Sequence, residues 1–135
     1  MKNLELYFFL IKNTHPEANI SLTNPNKEQI KNLDLKEIKE RALKIREQYH
    51  QVEKTHHGSE WTVEEDALAF LTDAGLVGRH TMSQQGRWPK GDTNPELQHK
   101  LGECIWWLTV LANQMEIDIN ESIESFLTKT EKLLE

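Results

Sequence analysis

Cysteine is almost missing: Cys104 stands alone among 135 residues. An intrachain disulfide and a cysteine-based zinc site are excluded, and a reducing cytoplasm is the expected compartment. Long apolar runs are missing too. Tyr7-Phe8-Phe9-Leu10-Ile11 is among the longest, far short of the roughly 20 residues a bilayer requires. The chain therefore predicts no membrane span. It opens with Lys2 and Glu5 and has no small-residue cleavage site, so no signal peptide is expected. Positive charge is in deficit, with a net charge of −6. Binding to a nucleic-acid polymer is not expected, because phosphate contacts need clustered Lys and Arg. A single nucleotide, held through a metal or a few basic groups, stays open. There is no internal repeat and no low-complexity tract.

What is present suits one domain around one core. Hydrophobic residues make up 37% and charged residues 28%. Residues 1–33 read as an N-terminal extension. In it Leu4, Tyr7, Phe8 and Ile11 fit a short helix, and residues 14–26 form a loop rich in turn formers. Residues 34–135 read as a helical domain. The spacing predicts a first long helix over about 27–55, with Ile38, Ala42, Ile45, Tyr49 and Val52 on its core face and Gly58 ending it. Thr62 and Glu65 have the form of a capping box and start a second helix with Ala67, Leu68, Leu71 and Ala74 inward. Gly75 and Gly78 either weaken that helix or let another approach closely. Residues 80–95 read as a loop. Leu97, Leu101, Cys104, Leu108, Leu111 and Met115 alternate by four and three in a third helix, widened by Ile105, Trp107 and Ala112. A fourth opens at Asp118 and Glu121, with Ile123, Phe126, Leu127 and Leu133 on its face.

The expected architecture is all-α, with four to five antiparallel helices and no strand. A helix apolar on more than one side, in so small a protein, implies association. A homodimer or homotetramer through helices three and four is expected.

The ordered phrases Trp61-Thr62-Val63 through Gly75, then Leu101-Gly102-Glu103-Cys104-Ile105-Trp106-Trp107-Leu108, continue to Met115, Asp118 and Ile119. Together they resemble the MazG-type nucleoside triphosphate pyrophosphohydrolases over roughly residues 35–133. The family carries E-x-x-E on one helix and E-x-x-D on the next. Carboxylates spaced i, i+3 share a helix face, and two such helices aim four carboxylates at one place. Oxygen ligands of this kind bind Mg²⁺, which bridges to substrate phosphates and activates water. The resemblance implies cleavage of NTP to NMP and pyrophosphate, with Asp73 and Glu103 as the catalytic and metal-binding residues. Arg87, Trp88, Lys100 and Lys129 are the implied substrate contacts.

The departures from the pattern are specific. Leu76 replaces the second acidic position of the first motif, and Lys100 replaces the first of the second motif. Leu76 coordinates nothing, and Lys100 repels a divalent ion. One turn from Glu96 and Glu103, and within reach of Asp73 across the helix pair, Lys100 reads as an internal stand-in for the metal. Asp66 and Glu96 each lie two turns, about 10.5 Å, from Asp73 and Glu103, too far to share one ion with them. His50, Glu53, His56 and His57 read better as a polar helix end than as a transition-metal site. Trp88 stacks on a base or anchors its loop, and Lys129 and Lys132 lie near phosphates or are simply solvated. Two functions remain: a weak or inactive Mg²⁺-dependent nucleotide pyrophosphohydrolase, or a non-catalytic nucleotide-binding, regulatory or interaction module.

Overall fold

Asp34 precedes the first described helix. Its carboxylate accepts the Glu37 backbone N–H at 2.8 Å and caps α1, Leu35–His57. The computed structural model describes residues 31–135, and the expectations for residues 1–30 lie outside the described residues. Residues 31–34 precede the helix, so the start predicted near 27 moves to the cap, where a side chain replaces the missing helical acceptor. Gly58 ends α1 as expected, at φ 77, with its N–H on the Lys54 carbonyl.

Thr62 and Glu65 form the full capping box of α2, Val63–Gln84, with bonds of 3.2 and 2.7 Å. This helix runs through Gly75 and Gly78 and includes residues 80–84, which read as loop in the sequence. The glycines do not break it because their neighbours stay in register. Pro95 stands in the first turn of α3, Asn94–Gln114, where its missing N–H costs nothing. Asp118 caps α4, Ile119–Leu134, through the Glu121 N–H at 2.9 Å. Among the described residues there are four helices and no strand. None of the described helices is long and apolar enough to cross a membrane.

The end of α3 has a form the sequence hides. Ile117 N–H reaches the Ala112 carbonyl at 2.8 Å, and Glu116 N–H reaches that of Asn113 at 3.2 Å. This is the Schellman pattern, and it puts Glu116 at φ 57, where glycine is the usual occupant.

Bonds between α2 and α3 join Asp73 to Lys100 and Trp107, and Asp66 to Gln114. Rising numbers on α3 meet falling numbers on α2, so the two helices are antiparallel. α1 packs behind α3, where Trp106 Nε1 donates to the Ala42 carbonyl at 3.1 Å and its ring tilts against Tyr49.

The expected core faces need correction. On α2 the buried positions are Asp66, Ala69, Asp73 and Ser83, while Leu68 and Leu71 are 61% and 65% exposed. On α1 Arg46 and Glu53 are buried and Ile45 is exposed. On α3 Leu97, Trp107 and Leu111 are inside, but Leu101, Ile105, Leu108 and the capping Met115 are outside. Ile123, Phe126, Leu127 and Leu133 of α4 are all exposed. Apolar periodicity located the helices and gave part of the buried side, since Ala42, Leu97, Trp107, Leu111 and Ala112 are inside as expected. The inward sides also carry Arg46, Glu53, Asp66, Asp73 and Lys100, charges that neutralise one another and that hydrophobic spacing does not register.

Candidate functional site

The α2–α3 seam centres on Asp73, which is 2% exposed. Lys100 crosses from α3 and places Nζ 2.7 Å from Asp73 Oδ1 and 2.6 Å from Glu103 Oε2. Trp107, two turns along α3 and fully buried, donates Nε1–H to Asp73 Oδ2 at 2.8 Å. One ammonium and one indole thus serve both oxygens of a buried carboxylate. Burial pulls the Lys100 ammonium toward neutrality. Its hydrogen bonds to Asp73 and Glu103 outweigh that pull and hold its pKa above the ordinary lysine value. Burial pushes up the neighbouring Tyr49 hydroxyl and the Cys104 thiol, and the nearby carboxylate charge adds to the rise.

Leu76 stands one turn beyond Asp73, partly buried, and brings no donor. Asp73, Leu76, Lys100 and Glu103 thus offer two carboxylates, one alkyl group and one ammonium. A divalent ion such as Mg²⁺ asks for near-octahedral oxygen ligation at about 2.0–2.1 Å. Here the two carboxylates already converge on a fixed positive charge, so the donor set does not fit Mg²⁺. Among the described residues no group of three or more His, Cys, Asp or Glu is placed to hold a metal.

A second ionic cluster lies further along the seam, toward the start of α2. Asp66 is 0% exposed and receives a two-pronged bond from Arg46, at 2.8 Å from Nη2 and 3.1 Å from Nε. Arg46 Nη1 also donates to the buried Glu53 at 2.6 Å. The other Glu53 oxygen meets His50 Nδ1 at 2.9 Å and the Trp61 backbone N–H at 3.0 Å. Gln114 of α3 donates to Asp66 at 2.9 Å. The Arg46 guanidinium lies 5.9 Å from the Trp107 ring centroid. Trp107 therefore touches both clusters. Burial raises the Asp66 pKa against the opposing pull of Arg46.

The structure brings together Asp73, Lys100 and Glu103 and leaves the other sequence-derived candidates apart. Arg87, Trp88, Lys90 and Lys129 are exposed. Trp88 carries Arg79 over its ring at 4.6 Å and accepts that guanidinium on its carbonyl at 2.9 Å, so it holds its own loop. Glu96 is exposed on α3. His50 pairs with Glu53, while His56 and His57 are exposed at the end of α1. Sequence reasoning missed Arg46 and Gln114, took Glu53 with His50 only as part of a polar helix end, and took Asp66 only as a distant spare ligand. The available signal was charge at spacings of seven: Arg46 and Glu53 lie two turns apart on α1, as Asp66 and Asp73 do on α2.

Comparison of this chain with protein-family models, with curated proteins and with solved structures returns no match.

Proposed function

We propose that this chain is a non-catalytic helical module of MazG-like form, in which Lys100 does the electrostatic work of a metal ion. The observation that carries the reading is the placement of Lys100 Nζ within hydrogen-bond distance of both Asp73 and Glu103. In a pyrophosphohydrolase of this form the metal draws carboxylates together and then serves substrate phosphates. Lys100 performs the first task and prevents the second. Its charge is tethered and satisfied, and it leaves no coordination position for a phosphate oxygen. Nucleotide binding, regulation or assembly remain as the uses of such a scaffold. A self-associated state, as homodimer or homotetramer, belongs to the same reading.

The experiment is pyrophosphate release from a panel of NTPs and dNTPs with Mg²⁺ or Mn²⁺. No release is expected. Release that disappears in Asp73→Ala and Glu103→Ala would instead make the chain a working hydrolase. Thermal stabilisation by a nucleotide, without release, would assign the scaffold to nucleotide binding.

A further inference from the structure

Residues 85–93 connect α2 to α3 and are tied down along their length. Gln85 N–H meets the Thr81 carbonyl at 3.0 Å, and the N–H groups of Arg87 and Trp88 share the Met82 carbonyl at 3.0 and 3.2 Å. Lys90 N–H reaches Oγ of the buried Ser83 at 2.9 Å. Arg79 of α2 donates to the Trp88 carbonyl at 2.9 Å and sets its guanidinium 4.6 Å from the Trp88 ring centroid. Trp88 still stays 60% exposed, and every residue from 84 to 92 is exposed. The ring is fixed by a cation on one face and open on the other. It forms a platform rather than a cleft.

Charge here runs against the rest of the chain, whose net charge is −6. Arg79, Arg87 and Lys90 stand against Asp92 alone, and the Asp92 carboxylate accepts the Asn94 N–H at 3.1 Å. The side chains of Arg87 and Lys90 form no ion pair among the described residues.

We infer that this loop is a docking platform for an acidic segment of another protein, which lays an apolar side chain on the open face of Trp88 and carboxylates against Arg87 and Lys90. Trp and Arg are the residue types that most often carry the energy of a protein contact. The loop is already ordered, so association costs less. Small molecules take concave sites that bury most of their surface, and a raised loop offers none. Range decides between the larger partners. An anionic bilayer or a nucleic-acid polymer extends past the loop and meets the negative charge of the whole chain. A short acidic segment feels only the charges within about 8 Å at physiological salt. Lys100 and its carboxylates play no part in the contact.

The test is fluorescence anisotropy of a labelled peptide of glutamate, aspartate and leucine, titrated with the full chain. The same peptide with glutamine and asparagine in place of the acids is the control. The acidic peptide is expected to bind with Kd below about 1 mM, weakening as salt rises. The neutral peptide should bind at least about tenfold more weakly. Trp88→Ala should weaken the acidic peptide by about tenfold or more. Arg87→Glu with Lys90→Glu guards against a disturbed loop, since it leaves the Arg79–Trp88 stack in place. It should weaken binding by at least about tenfold with the circular dichroism unchanged. Failure of the acidic peptide to bind overturns the inference, and so does binding that neither variant weakens. Tighter binding of a single-stranded oligonucleotide, of ATP, or of vesicles of phosphatidylserine and phosphatidylcholine, lost in the same variants, gives the platform to that partner and overturns it too.

Discussion

Lys100 and Asp73 lie 27 positions apart in sequence and meet at 2.7 Å across the α2–α3 seam, both nearly removed from solvent. Buried ions are tolerated when each finds its partner, and removing one partner costs far more than the pair gains. Lys100→Met is therefore expected to destabilise the fold by about 3–5 kcal/mol. Lys100→Met with Asp73→Asn should recover most of that loss, since the amide oxygen still accepts from Trp107. Chemical denaturation of both variants checks this, and equal instability would show that the pair is not the source.

The Arg46 cluster supports a sharper version of the same test. Arg46→Met leaves Glu53 and Asp66 facing each other without their shared cation, and a loss of about 3–5 kcal/mol is expected. Replacing all three by Met, Leu and Leu removes the charges together. Apolar replacement of a whole buried ionic group is often neutral or better, so the triple variant should be clearly more stable than Arg46→Met. Denaturation midpoints, at unchanged m-value, give the comparison.

Helix existence and caps were legible in the sequence; the inward face was legible only in part. Thr62-Glu65, Asp118 and Gly58 act locally, so a few neighbouring residues specify them. The burial of Asp66 and Asp73 depends on Arg46, Gln114, Lys100 and Trp107, which arrive from other helices. Nothing around Asp66 in sequence announces these partners. Lys100 is the intermediate case. Its two partners follow once α2 and α3 are taken as neighbours, whereas the Trp107 bond to Asp73 requires the actual register. Glu116 was illegible for another reason: its backbone conformation is set by the turn, against its own preference.

That strain makes a prediction of opposite sign. A left-handed conformation costs a non-glycine residue roughly 1–2 kcal/mol. Glu116→Gly should therefore stabilise the chain by about 1 kcal/mol, less what glycine costs in the unfolded state. The expected readout is a rise of about one to two degrees in Tm.

Alkaline pH should unfold the chain early. Lys100 has a folded pKa above its ordinary 10.5, so its contribution is complete below that value and is lost as pH rises through the folded one. Tyr49 has a folded pKa above its ordinary 10.0. The unfolded chain therefore releases that proton first, and stability again falls with rising pH. Tm should decline from about pH 10 upward, and Tyr49→Phe should remove part of the decline. A Tm level through pH 11 would contradict both contributions.

The central claim is that Lys100 occupies, electrostatically, the place of a divalent ion. Mn²⁺ titration followed by calorimetry, on the wild-type chain and on Leu76→Glu with Lys100→Glu, tests it most directly. The account predicts no binding by the wild type and one bound ion in the double variant, whose four carboxylates then face one point. Stoichiometric Mn²⁺ binding by the wild type, abolished by Asp73→Asn, would contradict it.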